Sequence, residues 1–273
     1  MSKCTSYDKI TFKNGILDSI VDAVYVILLK GSKRTEKVYK QINEFKLSKN
    51  NFIQINENFK DCHIEDLCSQ TTYHHIAYNT INVLKHANEN NFKNILVFED
   101  DFILDEEIKD EHVIHSIDNF ISNNDFNLYF IGCIPYVIWP SLSTEHVKVI
   151  LGGTNHSVIY SKEARDKIIN IFDEDKCYSS LFGFYHIDMI YHTILRNNYM
   201  YYKPLCYQPL IMTENRKDWT LPIIDYIIEL YELDKDPKKG FNNVYKTAYI
   251  LYVSLLMVII SVTCIIIYKN KKK

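Results

Sequence analysis

The sequence predicts an α/β protein with a largely parallel sheet, helices on both faces and one membrane-spanning helix at its C-terminal end. Three observations predict it. Short apolar, β-branched runs alternate with stretches that place apolar residues at helical spacing. One such run ends directly in three adjacent acids, Glu99-Asp100-Asp101. The stretch from Thr247 to Tyr268 holds no charge and no proline, and lysines follow it.

In chain order, Ala23 to Leu29 (AVYVILL) reads as a strand buried on both faces. Lys33 to Phe45 reads as a helix, with Val38, Ile42 and Phe45 on one side. Phe52 to Ile55 is the next strand. Thr71 to Asn90 is a long helix with Ile76, Thr80, Val83, Leu84 and Ala87 on one face. Ile95 to Phe98 is a buried strand that runs into the acids. Asn127 to Gly132 and His156 to Tyr160 are strands, and Ser161 caps a helix from Lys162 to Phe172. Asp188 to Asn197 is helical and Tyr199 to Lys203 is a short strand. The chain therefore divides into a globular part (1–235), a polar linker (236–246) signalled by Asp236-Pro237-Lys238-Lys239-Gly240, a spanning helix (247–268) and a basic tail (269–273).

Composition excludes several classes. Net charge is −3, which gives no basic field for nucleic acid. With 7 glycines the chain has no phosphate loop or dinucleotide fingerprint, and it has no G-x-S-x-G elbow. None of the 7 cysteines form a C-x-x-C pair. Cys62, His63, Cys68, His74 and His75 cluster, but their spacing is wide for zinc and reads as buried thiols and loop or helix-face histidines. Met1 to Ile10 has no apolar region of a signal peptide. Terminal lysines favour a cytosolic tail, whereas the lack of a signal peptide favours a cytosolic N-terminal part, so the side stays open. Asn155-His156-Ser157 is the one glycosylation sequon, a weak pointer to a lumenal domain.

The acids carry the chemistry. Adjacent carboxylates repel one another unless a cation neutralises them, and a hard divalent ion prefers oxygen ligands. On an extended segment residues i and i+2 face the same way, so Glu99 and Asp101 are expected to share an Mg²⁺ or Mn²⁺. Asp100 then faces a ribose or a backbone amide. In α/β sheets such a position, at a strand's carboxyl end, is where ligands bind. The bland alternative is a solvated acidic turn.

Four segments, in order, resemble glycosyltransferase family 25, the lipooligosaccharide and collagen-type galactosyltransferases. Val26 to Arg34 (VILLKGSKR) is similar to that family's V-I-N-L-K-R-S-x-x-R. His74-His75 falls where the family has Ser-His. Ile95 to Leu104 (ILVFEDDFIL) is similar to A-L-V-L-E-D-D-A. Gly152 to Ile169 resembles G-x-x-A-Y-x-x-S-x-x-A-x-x-L, and Asp188 lies where the family has P-x-D. The resemblance implies a GT-A-like, Rossmann-related fold, a divalent metal, a nucleotide-sugar donor such as a UDP-sugar, and a glycan, lipid-linked or protein acceptor. It places Glu99 and Asp101 at the metal, and Lys30, Arg34 and Asp100 at the donor. His75 contacts donor or acceptor, and Asp188 is the candidate general base. Leucine at 28 and glycine at 31, where the family has asparagine and a basic residue, keep a second reading in view: an inactive, membrane-tethered binding or scaffold protein. A metal-dependent phosphohydrolase ranks last, because no further acids or histidines gather for a second ion.

Overall fold

The computed structural model describes residues 4–58, 61–62, 71–140, 145–174, 187–210 and 222–271. At its centre is a seven-stranded sheet in the order β1-β3-β2-β4-β7-β6-β8. Strand β2 (Ala23–Leu29) is the apolar run read from the sequence. Its alternation sends Ala23 and Tyr25 to one core and Val24, Val26 and Leu28 to the other. Strand β4 (Asn94–Glu99) divides likewise, with Ile95 and Val97 opposed to Leu96 and Phe98. These two strands pair in parallel, Val26 opposite Phe98. On the other side of β2, strand β3 (Asn50–Asn56) is also parallel, and β1 (Thr5–Thr11) closes that edge antiparallel. β1 has five polar residues in seven, which hid it from a search for apolar runs.

Helices α1 (Thr35–Phe45) and α3 (Glu111–Asn123) cover one face through Val38, Ile42, Phe45, Val113 and Ile117. Helices α2 (Thr72–Glu89), α4 (Lys162–Glu174) and α5 (Ile187–Ile194) cover the other. Flanking helices on both faces agree with the sequence reading. The expectation of a mostly parallel sheet does not hold. Strands β6 (Leu128–Pro140) and β7 (His146–Ser161) form a long antiparallel ribbon, and β7 also runs antiparallel to β4. Only residues 141–145 join β6 to β7, and a parallel pairing needs a crossover of a dozen residues or more. The sheet is therefore mixed, ending in β8 (Asn198–Tyr201), parallel to β6. A second, two-stranded sheet joins β5 (Ile103–Leu104) to β9 (Cys206–Tyr207).

Helix α6 (Pro222–Leu230) precedes α7 (Pro237–Lys271). The segment expected as a linker, 236–246, is the beginning of α7. Proline at the first helical position is tolerated because its missing N–H has no partner there anyway, and the Asp236 carboxylate accepts from the Lys239 amide. Gly240 lets the helix approach closely: a Cβ there would lie 2.7 Å from the Tyr231 carbonyl oxygen. Phe241, Val244, Tyr245 and Ala248 are buried against the domain. Beyond them the helix is exposed, and it is long and apolar enough to cross a membrane.

Cys4 and Cys62 form a disulfide, so Cys62 is neither a free thiol nor a zinc ligand. His63 and Cys68 lie outside the described residues. Cys133 and Cys206 are buried thiols. Asn155 of the sequon is buried within β7, where no oligosaccharide fits.

Arg165 of α4 is wholly buried and ties the turn between α2 and β4 to the sheet. Its Nε donates to Asn88 Oδ1 (2.9 Å), Nη1 to the carbonyls of Lys93 (3.1 Å) and Tyr160 (3.3 Å), and Nη2 to that of Phe92. Arg165→Leu strands these acceptors and is expected to cost about 3–5 kcal/mol of stability. Lys162→Ala, which breaks only an exposed pair with Asp166, is expected to cost less than about 1 kcal/mol. Thermal melts of the two variants against the parent chain check this.

Candidate functional site

Strands β2 and β4 run parallel and end side by side, and the loops that leave them build the site. After β2 the chain turns through Gly31 at φ +75°, a left-handed conformation that glycine adopts without strain. Ser32 and Arg34 come next, just before α1. After β4 the chain turns again, with the Phe102 amide donating to the Glu99 carbonyl. Phe98 and Phe102 flank the acids and stack at 4.4 Å between ring centroids, both buried. Gln41 of α1 fixes the exit: its amide nitrogen donates to the Phe102 carbonyl (2.8 Å) and its oxygen accepts from the Leu104 amide (2.9 Å).

The acids divide their partners. Asp100 accepts from Arg34 Nη1 (2.8 Å) and Ser32 Oγ (3.0 Å). Asp101 is 3% exposed, and both its oxygens lie 3.0 Å from Gln208 Nε2. Arg34 Nη1 stands 3.8 Å from Asp101 Oδ2. Glu99 Oε2 accepts from the same Gln208 nitrogen at 3.3 Å. Glu99 and Asp101 thus converge on one point, while Asp100 faces the β2 loop. The segment between them is a turn and not an extended strand, so the i, i+2 argument does not account for the convergence; Gln208 gathers the two carboxylates from outside.

Gln208 lies just after β9, and the pairing of Leu104 with Cys206 carries it to the acids. The sequence reading does not single it out, because 107 residues separate Gln208 from Asp101 and no local spacing links them; the family's closing Q-x-x-x-x-S is only faintly echoed just after it, near Pro209 to Trp219. Ser32 belongs to the first motif, but nothing in that motif's spacing shows that its hydroxyl holds Asp100. Gln208 Oε1 is buried with no hydrogen-bond partner among the described residues.

Of the other sequence-predicted residues, Lys30 is drawn to Glu57 (2.5 Å) and is 64% exposed. It was expected to meet a diphosphate, and the opposite charge on β3's end holds it elsewhere. His75 is buried near the start of α2, its amide donating to the Thr71 carbonyl. Asp188 lies in the first turn of α5, and its side chain is outside the described residues. Both helices nevertheless reach a small cavity beside Glu99, which Ile76 and Thr80 of α2, Tyr191 of α5 and Asn155 of β7 help line. Both polar atoms of the Asn155 amide are buried without a hydrogen-bond partner among the described residues.

No protein-family model and no curated protein sequence matches this chain. Among solved structures it is similar to a glycosyltransferase involved in the glycosylation of the major capsid of PBCV-1. The identity is 8% and the TM-score 0.42, over 72% of this chain and 97% of that one. It is similar also to A197 from STIV, at 11% identity and a TM-score of 0.41, over 70% of this chain and 86% of that one. Likeness at this level carries no argument about the site, whose chemistry is read from its own residues.

Among the described residues no three His, Cys, Asp or Glu side chains come together as a metal cage. Two converging carboxylates are what a hard cation needs when a substrate's phosphates and water complete its shell. The orphaned Gln208 oxygen is a third donor, since rotating the carboxamide by half a turn points Oε1 where Nε2 now lies. The donor set is all oxygen and fits Mg²⁺ or Mn²⁺.

Burial pushes the Asp101 carboxyl from 3.8 up to about 6; Arg34 opposes the rise, the Asp100 charge adds to it and the Gln208 hydrogen bond opposes it. The folded protein therefore favours the protonated acid. In the ion-free protein, stability from this group falls as pH rises from about 3.8 through about 6 and is level above. Asp101→Asn removes that loss. With chelator present, the variant is expected to melt higher than the parent at pH 8, and the gap is expected to narrow at pH 4.5. A gap that is constant across this range would contradict the assignment.

Proposed function

We propose that this chain is a membrane-anchored, metal-dependent glycosyltransferase that moves a hexosyl group, galactosyl or glucosyl, from a UDP-sugar to a glycan, lipid-linked or protein acceptor. The observation that carries the reading is the convergence of Glu99 and Asp101 at the carboxyl ends of β2 and β4, beside Arg34. The family 25 resemblance in VILLKGSKR and ILVFEDDFIL supports it independently of the geometry.

Glu99, Asp101 and the turned Gln208 oxygen would hold the divalent ion. The ion supplies neutralisation of the charge that grows on a departing nucleoside diphosphate. Arg34 is 30% exposed and offers a planar fork to phosphate oxygens once a donor competes with Asp100 for it. Asp100, already oriented by Ser32, is placed to accept from a ribose hydroxyl. Lys30, 64% exposed and paired with Glu57, would have to leave that carboxylate to meet the diphosphate. Asn155, with its unpartnered amide, lies next to Glu99 and suits recognition of sugar hydroxyls. His75 and Asp188 keep their proposed roles at the donor or acceptor and as general base. In an inverting transfer the Asp188 carboxylate takes the acceptor hydroxyl's proton as that oxygen bonds to the anomeric carbon, and the bond to the diphosphate breaks.

The test is release of UDP from UDP-galactose and UDP-glucose, with and without Mn²⁺. Turnover is expected only with the ion and is expected to vanish in Asp101→Asn. Gln208→Ala is expected to weaken Mn²⁺ binding by about 10–100-fold, read by calorimetry. One observation favours the second reading, an inactive membrane-tethered scaffold: the Gln208 nitrogen now donates into the point an ion would take. No Mn²⁺-dependent thermal shift with UDP, together with an intact biological phenotype in Asp101→Asn, would decide for it.

A further inference from the structure

Helix α7 leaves the domain at a definite level. Ala248 is its last buried residue, whereas Ile250 and Leu251 are 65% and 63% exposed. Strand β6 accompanies it to that level. The Cys133 thiol lies 3.7 Å from the Tyr245 hydroxyl, and further along the Trp139 ring meets Tyr252 edge-on at 6.0 Å. Trp139 therefore stands one turn of α7 beyond the last buried residue, beside the apolar length of the helix.

The ribbon's far end is apolar on its outside. Tyr136, Val137, Trp139 and Ile150 are 45%, 47%, 55% and 46% exposed. Two register shifts account for part of this. Between the pairs Pro135–Gly152 and Val137–Leu151, Tyr136 is an extra residue; between Val137–Leu151 and Ile138–Val149, Ile150 is another. Each bulge breaks the alternation that would otherwise turn these side chains inward. Lys148 pairs opposite Trp139, its ammonium lying over the Tyr199 ring of the next strand at 6.0 Å. Aromatic rings with a lysine among them match the boundary between headgroups and acyl chains.

We propose that the outer end of the β6–β7 ribbon beds in the interfacial layer of the bilayer that takes α7, giving the domain a second lipid contact. It rests on reading α7 as a spanning helix, and not on the transferase chemistry. One helix alone leaves a domain free to swivel. A second contact beside it fixes which face of the domain meets the lipid.

The test uses the full chain carrying Trp219→Phe, so that Trp139 is the only tryptophan, in phosphatidylcholine liposomes with or without brominated acyl chains. Loss of most Trp139 emission with bromines near the headgroups, and a smaller loss with bromines near the bilayer centre, is expected. Ile150→Glu is expected to reduce the quenching while leaving the melting temperature unchanged; unaltered quenching would count against the patch. Full emission in brominated lipid, in a chain that resists alkaline extraction, would overturn the proposal. Full emission with crosslinked dimers would overturn it in favour of a second copy on the patch. Extraction by alkali would remove the spanning reading of α7, and the proposal with it.

Discussion

Three consecutive carboxylates at the mouth of a buried sheet repel one another, and the surrounding structure is arranged around that repulsion. Asp100 is neutralised by Arg34 and hydrogen-bonded by Ser32, both from the β2 loop. Asp101 and Glu99 share the Gln208 amide, with Arg34 more distant from Asp101. The backbone that carries them cannot relax away, because the Phe98–Phe102 stack holds both sides of the turn and Gln41 holds the backbone from Phe102 to Leu104. Charge is thus retained in a place where it is costly.

A second buried carboxylate shows that this is specific to the site. Asp105 is 5% exposed, close to the 3% of Asp101. Burial pushes its pKa up, but the Glu107 amide, Lys238 and Tyr207 outweigh it and hold the group below the usual range. Tyr207 donates at 2.5 Å and Lys238 at 2.7 Å. Four residues along the chain, the fold fully satisfies one acid and leaves the other under-compensated. Lys238 belongs to the first turn of α7, so this long apolar helix also buttresses the strand pair β5–β9 that delivers Gln208.

Much of the fold was legible. The β2 run matches its strand residue for residue, and α1, α2, α4 and β4 lie within two residues of where their periodicity put them. These elements bury regular apolar patterns, and a pattern with a period is visible in one dimension. The edge strand β1 and the length of the β6–β7 ribbon were not legible, because polar residues and bulges interrupt the alternation. The start of α7 was misread as a linker: proline, glycine and charge look like a breaker, yet here they are the cap and the close-contact point of a helix.

The sequence by itself determined where three adjacent carboxylates sit and which strand presents them, since an apolar run ending in acids is local information. It determined also that the C-terminal helix is fit for lipid, because length and apolarity need no partner to be read. Only the tertiary structure decided that Gln208 joins Glu99 to Asp101, that Lys30 turns to Glu57, and that Trp139 keeps level with Tyr252. Each of these pairings is set by how strands and helices stack, and contacts between residues remote in the chain come from packing geometry, which no local spacing encodes.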